Sequence, residues 1–197
     1  GHGVPGAFMT MIAHAALDLA LARVGGHDPA RLLASFDASV RQMLPPRERF
    51  ARIATDMDIG LAFIDPAAGR LRYAGAKLPL RWHDPERGAD GWGEIAGTRR
   101  SVGDRRPTSF ENGESELRPG RCFYLCSDGL PDQNGGEHGF ALGEKRLRQC
   151  LQASSHLPLG EQKIALQNFF AAFQGERAQR DDVTLLAFRI ATVQEVT

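Results

Sequence analysis

The chain has 197 residues, of which 42% are hydrophobic and 24% are charged, and these proportions are typical of a globular protein with one compact domain. Its 24 basic and 24 acidic residues give a formal net charge of zero. Because binding to nucleic-acid phosphates or to an anionic membrane needs an excess of positive charge, this balance argues against a nucleic-acid-binding or polybasic membrane-anchoring function.

The first quarter of the chain predicts two helices. The Ala-, Leu- and Met-rich stretch from Pro5 to Val24 holds only two charged residues, so we expect a helix that is buried on most of its circumference and ends at Gly25-Gly26. Asp28 is placed to cap a second helix, which we expect from Pro29 to Leu44.

The middle of the chain predicts β-structure. Two β-capable runs, Met57–Ile64 and Arg70–Ala74, flank the short turn Asp65–Gly69, which is the pattern of a β-hairpin. The segment from Asp84 to Arg106 is rich in Gly, Arg and Asp, and it predicts a loop. The other predicted strands are Leu78–His83, a short strand at Gly93–Ile95 and a polar pair within Thr108–Leu117.

The last third of the chain predicts a buried strand, two helices and a closing strand. These elements are Cys122–Ser127, Leu142–Ala153, Leu159–Phe173 and Val183–Ile190. No internal repeat and no linker divides the sequence, so we expect a single domain over residues 1–197. Helices and antiparallel strands that alternate in this way indicate the α+β class.

Cysteine content indicates a reducing compartment, and the hydropathy pattern is that of a domain without a membrane helix. Three cysteines, an odd number, cannot form a complete disulfide framework, and no Cys/His spacing typical of zinc occurs. No apolar run reaches the ~18 to 20 residues that a membrane helix needs, and there is no signal peptide. We therefore expect a cytoplasmic domain whose own segment makes no membrane contact.

Two acidic segments are candidates for chemistry. Asp128 follows an apolar strand and precedes Gly129, which places its carboxylate at the rim of a sheet. Asp181 and Asp182 precede the final strand, where two adjacent carboxylates repel each other unless a cation, a donor or solvent relieves them. Asp128 and Asp181 could share a hard divalent cation such as Mg²⁺ or Mn²⁺. The alternative is that these aspartates are ordinary turn and capping residues.

The beginning of the chain is a third candidate. Gly1-His2-Gly3-Val4-Pro5 is a Gly-rich turn that leads into the first predicted helix, where backbone N–H groups could hold an anion or a metal-bound water. The alternative is a flexible terminus.

Four segments in a fixed order carry a resemblance to a known family. The chain resembles the bacterial SpoIIE/RsbU-type branch of the metal-dependent (type 2C, PPM) serine/threonine phosphatases over nearly its whole length. The segments are Gly1-His2-Gly3-Val4-Pro5-Gly6-Ala7, Tyr73-Ala74-Gly75-Ala76-Lys77-Leu78-Pro79-Leu80, Ser127-Asp128-Gly129-Leu130-Pro131-Asp132 and Asp181-Asp182-Val183-Thr184-Leu185-Leu186.

The resemblance implies a fold and a mechanism. The family fold is a sandwich of two antiparallel sheets flanked by helices, with a binuclear Mg²⁺ or Mn²⁺ site at one rim. There a metal-bridging water attacks a phosphoserine or phosphothreonine directly, which fits the general chemistry of two-metal sites. Asp128 and Asp181 match two metal-ligating aspartates of the family, and Gly1 lies where a backbone carbonyl approaches the first metal.

The chain departs from the family pattern at its start. Family members carry an aspartate shortly before the Gly1-His2-Gly3 segment and an acidic pair further upstream, and this sequence contains neither. We therefore expect the carboxy-terminal portion of a catalytic domain that lacks the first strands. Because affinity follows the number of ligand charges, such a half-site should bind one cation weakly at most, and this chain alone should have no useful activity.

Arginines are candidates for substrate binding. Arg105 and Arg106, which follow Arg99 and Arg100 in the same predicted loop, could pair bidentately with a substrate phosphoryl group. The alternative is a solvated basic loop.

The leading functional hypothesis is a metal-dependent phosphoprotein phosphatase in bacterial signalling. In this branch the substrate is typically a phosphorylated anti-sigma-antagonist-like protein, and dephosphorylation switches its partner. The alternative is a degenerate or truncated phosphatase domain that acts as a protein-binding module. The two apolar N-terminal helices could also form a homodimer, and the chain looks like the cytoplasmic part of a membrane-anchored sensor.

Overall fold

The computed structural model describes residues 3–44, 56–104, 106 and 108–190, and these form two compact units. The first unit is built from the described parts of Gly1–Pro79 and Ile95–Glu116, and the second from those of Leu80–Glu94 and Leu117–Thr197. The prediction that residues 1–197 form a single domain stays a prediction.

The described residues contain four α-helices, nine strands and one 3-10 helix. The helices are α1 (Gly3–Val24), α2 (Pro29–Met43), α3 (Gly143–Ser154) and α4 (Leu159–Gln174), and the 3-10 helix is Pro85–Gly91. The strands are β1 (Ile59–Asp65), β2 (Arg70–Ala76), β3 (Leu80–His83), β4 (Trp92–Ile95), β5 (Gly113–Glu116), β6 (Cys122–Cys126), β7 (Asn134–Gly135), β8 (Phe140–Ala141) and β9 (Leu185–Phe188).

The first unit is a three-stranded sheet covered by the helix pair α1 and α2. Its strand order is β1-β2-β5, and the β1–β2 hairpin runs in register from Ile59 opposite Ala76 to Asp65 opposite Arg70. This confirms the predicted hairpin. The side chains of α2 that face the sheet and α1 include Leu33, Phe36 and Val40, and they are buried in one apolar cluster.

The junction between α1 and α2 confirms the predicted caps. Gly25 has a φ of 72°, which favours glycine, and its N–H closes α1 on the carbonyl of Leu21. The Asp28 carboxylate accepts the Arg31 N–H at 3.1 Å, as an N-cap should. Asn112 adds a second cap, because its Oδ1 accepts the Ala30 N–H at 2.8 Å and its Nδ2 donates to Asp28 at 2.7 Å.

That role of Asn112 explains a difference from the sequence analysis. A pair of polar strands was predicted within Thr108–Leu117, but only β5 forms there, and residues 108–112 are not part of a sheet. The side chain of Asn112 is used to cap a helix that lies 82 residues earlier in the chain. A pattern of alternating residues does not reveal such a long-range contact.

Two expectations about α1 are wrong. The helix is not buried on most of its circumference, since Val4, Phe8, Met11 and Leu21 are exposed while its other side joins the core of the first unit. Residues Gly6–Val24 are also long and apolar enough to cross a membrane by length and composition, with a mean hydropathy of 1.4 and 22% of the stretch buried. Scattered polar residues break the apolar runs, but the mean hydropathy stays high enough for a membrane span, so a search for an unbroken apolar run does not find this stretch.

The second unit is a four-stranded sheet packed against α3 and α4. Its strand order is β4-β3-β6-β9, and β6 pairs antiparallel with β9 so that Cys126 lies opposite Leu185. The apolar side chains between this sheet and the helices form a second core that includes Tyr124, Leu130, Leu142, Leu147 and Leu151. The predicted strand Cys122–Ser127 and both predicted helices are confirmed, with bounds shifted by at most one residue.

Two features of the second unit differ from prediction. The closing strand, Leu185–Phe188, is shorter than the predicted Val183–Ile190, and just before it the Thr184 N–H binds the Ser127 hydroxyl. A two-stranded sheet of β7 and β8 was not predicted. Each of its strands has only two residues, which is too few for a hydrophobic alternation to appear in the sequence.

Candidate metal site and its surroundings

The second unit brings the two acidic segments together although they are far apart in sequence. The Ser127 N–H donates to the Thr184 carbonyl at 2.9 Å, and the Ser127 hydroxyl accepts the Thr184 N–H at 2.9 Å. The same hydroxyl donates to the carbonyl of Asp182 at 3.2 Å, 55 residues along the chain. The segment that carries Asp128 therefore lies beside the segment that carries Asp181 and Asp182.

Gly129 is required for this approach. A Cβ atom on Gly129 would lie 2.3 Å from the carbonyl oxygen and 2.9 Å from the carbonyl carbon of Asp182, distances that real Cβ atoms essentially never show. Any side chain at position 129 would push the two acidic segments apart. The glycine after Asp128 thus serves close packing of two backbones, beyond the freedom to turn that the sequence indicates.

The two aspartates present exposed carboxylates on these adjoining segments. One oxygen of Asp181 accepts the Asp182 N–H at 2.7 Å, and no side chain in the described ranges binds the carboxylate of Asp128. Exposed carboxylate oxygens are the donors that Mg²⁺ and Mn²⁺ prefer, so this pair fits such a cation. Among the described residues, no group of three or more His, Cys, Asp or Glu side chains is arranged to hold a metal ion. The assignment of Asp128 and Asp181 as metal ligands stays a prediction.

The cysteine next to this site is a buried thiol. Burial raises the pKa of the Cys126 thiol to about 12, so the thiol stays protonated near neutral pH. It donates to the carbonyl of Ser127 at 3.1 Å. Cys122 and Cys126 are both buried and free, as core packing predicts.

The sequence analysis overlooked Gln133, which the structure places at the same segment. Its side chain is fully buried, with 0% exposed, and its amide binds backbone groups of residues 178 and 180, just before Asp181. Nothing local in the sequence marks this residue, because a glutamine in a polar loop is ordinarily solvated. Its position five residues after Asp128 is the one feature of the sequence that could have suggested a role at this site.

Two of the predicted site residues, Gly1 and Arg105, lie outside the described residues. Their roles stay predictions. Arg106 is exposed in the first unit, with its N–H bound to the carboxylate of Asp104 at 3.0 Å. Its proposed role in substrate binding is likewise untested.

Helix α2 holds the loop that carries Arg106. Asp37 is buried, and its carboxylate accepts the Gly103 N–H at 2.8 Å and pairs with Arg41 at 2.7 Å. Arg41 in turn donates to the carbonyls of Asp104 and Arg106. The conformation of this basic loop therefore depends on two side chains of a helix that is distant in sequence.

Replacing Asp37 by alanine should lower the free energy of unfolding by about 2–3 kcal/mol, because it removes the carboxylate that accepts the Gly103 N–H and pairs with Arg41. Denaturant titration measures this change. Asp18→Ala is the matched control, since Asp18 is exposed on α1 and its loss should cost less than about 0.5 kcal/mol. Equal losses in both variants would show that Asp37 does not hold the loop.

Comparison with known proteins agrees with this arrangement. The family model described as stage II sporulation protein E (SpoIIE) matches residues 1–191. The SiaA-PP2C domain of Pseudomonas aeruginosa is similar, with 44% identity and a TM-score of 0.85 over 97% of this chain and 71% of that one. No protein of curated function matches the sequence.

Two further solved structures share the fold at low identity. The PP2C phosphatase domain of SpoIIE from Bacillus subtilis, solved with a fragment of its regulatory domain, has 15% identity and a TM-score of 0.68 over 96% of this chain and 52% of that one. RsbX in complex with magnesium has 14% identity and a TM-score of 0.58 over 95% of this chain and 75% of that one.

The chain therefore belongs to the SpoIIE family, and it is a PP2C-type phosphatase domain of the kind used in bacterial signalling. The fold class expected from the sequence, helices with antiparallel sheets in a PPM arrangement, is confirmed. PP2C phosphatases are metal-dependent serine/threonine phosphatases, so the family sets the class of reaction.

Proposed function

We propose that the protein hydrolyses phosphoserine or phosphothreonine on a small regulatory protein, with Mn²⁺ or Mg²⁺ held by Asp128 and Asp181. The observation that carries this proposal is the packing of the Ser127-Asp128-Gly129 segment on Asp181 and Asp182 in a chain of the SpoIIE family. The magnesium complex of RsbX, a protein with the same fold, supports the class of metal.

The residues of the chain have separable tasks in this reaction. The carboxylates of Asp128 and Asp181 would hold the cations, and Ser127 and Gly129 set the spacing of the segments that carry them. When bound, a pair of divalent cations supplies an activated water and neutralises charge on the phosphoryl group. The overall hydrolysis would consume one water and release inorganic phosphate and the serine or threonine hydroxyl, whose oxygen takes a proton from that water. Arg105 and Arg106 are proposed to bind the phosphoprotein.

The substrate and the setting are also proposals. We infer an anti-sigma-antagonist-like phosphoprotein whose dephosphorylation switches its binding partner, because this is the substrate class of the branch that the chain resembles. We infer a cytoplasmic location, since all three cysteines are free. The exposed apolar residues Phe8, Met11 and Leu21 of α1 support pairing of two copies.

Phosphate release by the full-length protein tests the proposal. A phosphoserine peptide should be hydrolysed with Mn²⁺ present and not after EDTA, while the phosphotyrosine counterpart should be a poor substrate. Hydrolysis that persists in EDTA would contradict the metal mechanism. Binding of the peptide without any release of phosphate would instead favour the protein-binding module.

A further inference from the structure

The side chain of Gln133 binds the backbone of the segment that leads into Asp181. Its Oε1 accepts the Arg180 N–H at 3.0 Å, and its Nε2 donates to the carbonyls of Ala178 at 3.0 Å and Asn134 at 2.9 Å. Both amide hydrogens and the amide oxygen are therefore used. With 0% of the residue exposed, these bonds are made out of contact with water, where an unmade bond is costly.

The backbone of Gln133 is fixed as well. Its carbonyl accepts the Leu142 N–H at 2.9 Å, and two residues earlier the carbonyl of Pro131 accepts the Gly143 N–H at 2.8 Å. The amide is thus presented from a loop that is tied to the first turn of α3, and α3 packs in the core of the second unit through Leu147 and Leu151. Because its backbone is fixed, Gln133 holds the loop at residues 178–180 in one position and does not move with that loop.

Asp181 lies between two fixed points. On one side Gln133 binds residues 178 and 180, and on the other Ser127 binds residues 182 and 184. The Asp181 carbonyl itself accepts the Gln179 side-chain N–H at 2.7 Å. Ser127 and Gln133 belong to the same short segment as Asp128. One segment therefore holds the chain on both sides of Asp181 and fixes the backbone from which the Asp181 carboxylate projects.

We propose that Gln133 is a positioning residue for the metal site: it holds residues 178–180 so that the Asp181 carboxylate is set against Asp128 before a cation arrives. This inference rests on the proposed function, since it concerns the same site. Its physical basis is that groups which orient a metal ligand typically change metal affinity by about 10–100-fold when they are removed. Without Gln133, the loop must be ordered by the cation itself, which lowers the net affinity.

The test is Mn²⁺ binding by calorimetry to the full-length protein and its Gln133→Met variant. Methionine keeps the approximate length of the side chain and removes all three hydrogen bonds. We expect the dissociation constant for Mn²⁺ to rise by at least about tenfold. Hydrogen exchange of the Arg180 amide, measured without metal, should speed up in the same variant because that amide has lost its acceptor.

Gln162 provides a matched control in the same unit. It too is buried, with 5% exposed, and its amide donates to the carbonyls of Leu157 and Ser155 at 2.8 and 3.2 Å and accepts the Tyr124 hydroxyl at 2.9 Å. Gln162→Met should therefore cost a similar amount of stability. Because none of its partners belongs to the acidic segments, its Mn²⁺ affinity should stay within about twofold of the wild type.

If the Gln133→Met variant does not fold, the Gln133→Glu variant tests the positioning role. The glutamate keeps an acceptor for the Arg180 N–H and loses donors, so we expect an intermediate loss of Mn²⁺ affinity. Wild-type affinity in a folded Gln133 variant, or equal losses in the Gln133 and Gln162 variants, would overturn the positioning role. A wild-type protein that binds no Mn²⁺ at all would overturn the proposed metal site itself, which is a distinguishable failure.

Discussion

Replacing Asp128 by asparagine is expected to lower the rate of phosphoserine hydrolysis by the full-length protein about a thousandfold. The substitution keeps the size of the side chain and removes one of the negative charges that the cations need. Metal ions contribute several kcal/mol of transition-state stabilisation, and each 1.36 kcal/mol corresponds to a factor of ten in rate. The loss of about 4 kcal/mol gives the stated effect.

The measurement is phosphate release at several Mn²⁺ concentrations, beside thermal unfolding of the same variant. Asp128 is exposed, and its side chain binds no other residue in the described ranges. The Asp128→Asn variant should therefore unfold at the same temperature as the wild type. Glu161→Gln, which removes an exposed charge on α4 in the same unit, is the control and should retain activity. Unchanged turnover in Asp128→Asn would refute the metal assignment.

The second large effect concerns stability and involves Asp84. This residue and Arg121 are each only 6% exposed, and they form a bidentate ion pair with distances of 2.6 and 2.7 Å. Asp84→Ala removes the carboxylate that pairs with the buried Arg121 guanidinium, which should lower the free energy of unfolding by about 3–5 kcal/mol. Denaturant titration measures the loss.

An ion pair whose carboxylate is exposed calibrates this result in the same unit. Glu144 binds the buried Arg81 at 2.7 Å, but the Glu144 side chain is 60% exposed and Arg81 keeps Glu94 as a second partner at 3.3 Å. Glu144→Ala should therefore cost less than about 1 kcal/mol. An equal loss of unfolding free energy in the Asp84 and Glu144 variants would show that burial does not increase the contribution of the Asp84–Arg121 pair to stability.

Asp84 also predicts how stability depends on pH. Its hydrogen bonds from Arg121 hold the pKa of the carboxyl below its ordinary value of 3.8. A group with a lower pKa in the folded state stabilises the fold above its unfolded pKa, and the contribution is lost as the pH falls through the folded pKa. The wild type should therefore lose stability below about pH 4, and Asp84→Asn should lose less over the same range.

Much of the fold was predictable because it is encoded locally. Asp28 before Pro29, Gly25 after the first helix and the turn Asp65–Gly69 each reflect the conformation of a few neighbouring residues, and the structure confirms them. The order of the acidic motifs likewise indicated the family. These are signals that a single stretch of sequence contains.

What could not be predicted depends on contacts between distant residues. Asn112 caps a helix from 82 residues away, and Gln133 binds an amide 47 residues later. Asp84 begins the segment that was predicted as a loop, and nothing local in the sequence indicates that the fold buries it against Arg121. The exposed side of α1 was misjudged for the same reason, since the sequence shows that a helix is apolar but not how much of it the rest of the chain covers.

The pairing of β6 with β9 has a consequence for the fidelity of folding. A slip of β9 by one residue would turn its core-facing side chains outward and move Asp181 by about 3.4 Å along the sheet. Such a misaligned form could remain compact and could retain most backbone hydrogen bonds, yet it would be unable to bring its two carboxylates to one cation. The Ser127 hydroxyl, which recognises the backbone on both sides of Val183, stabilises only the native alignment. This one hydroxyl therefore favours the native register of β9. A preparation of the Ser127→Ala variant should contain molecules that are folded but have no phosphatase activity.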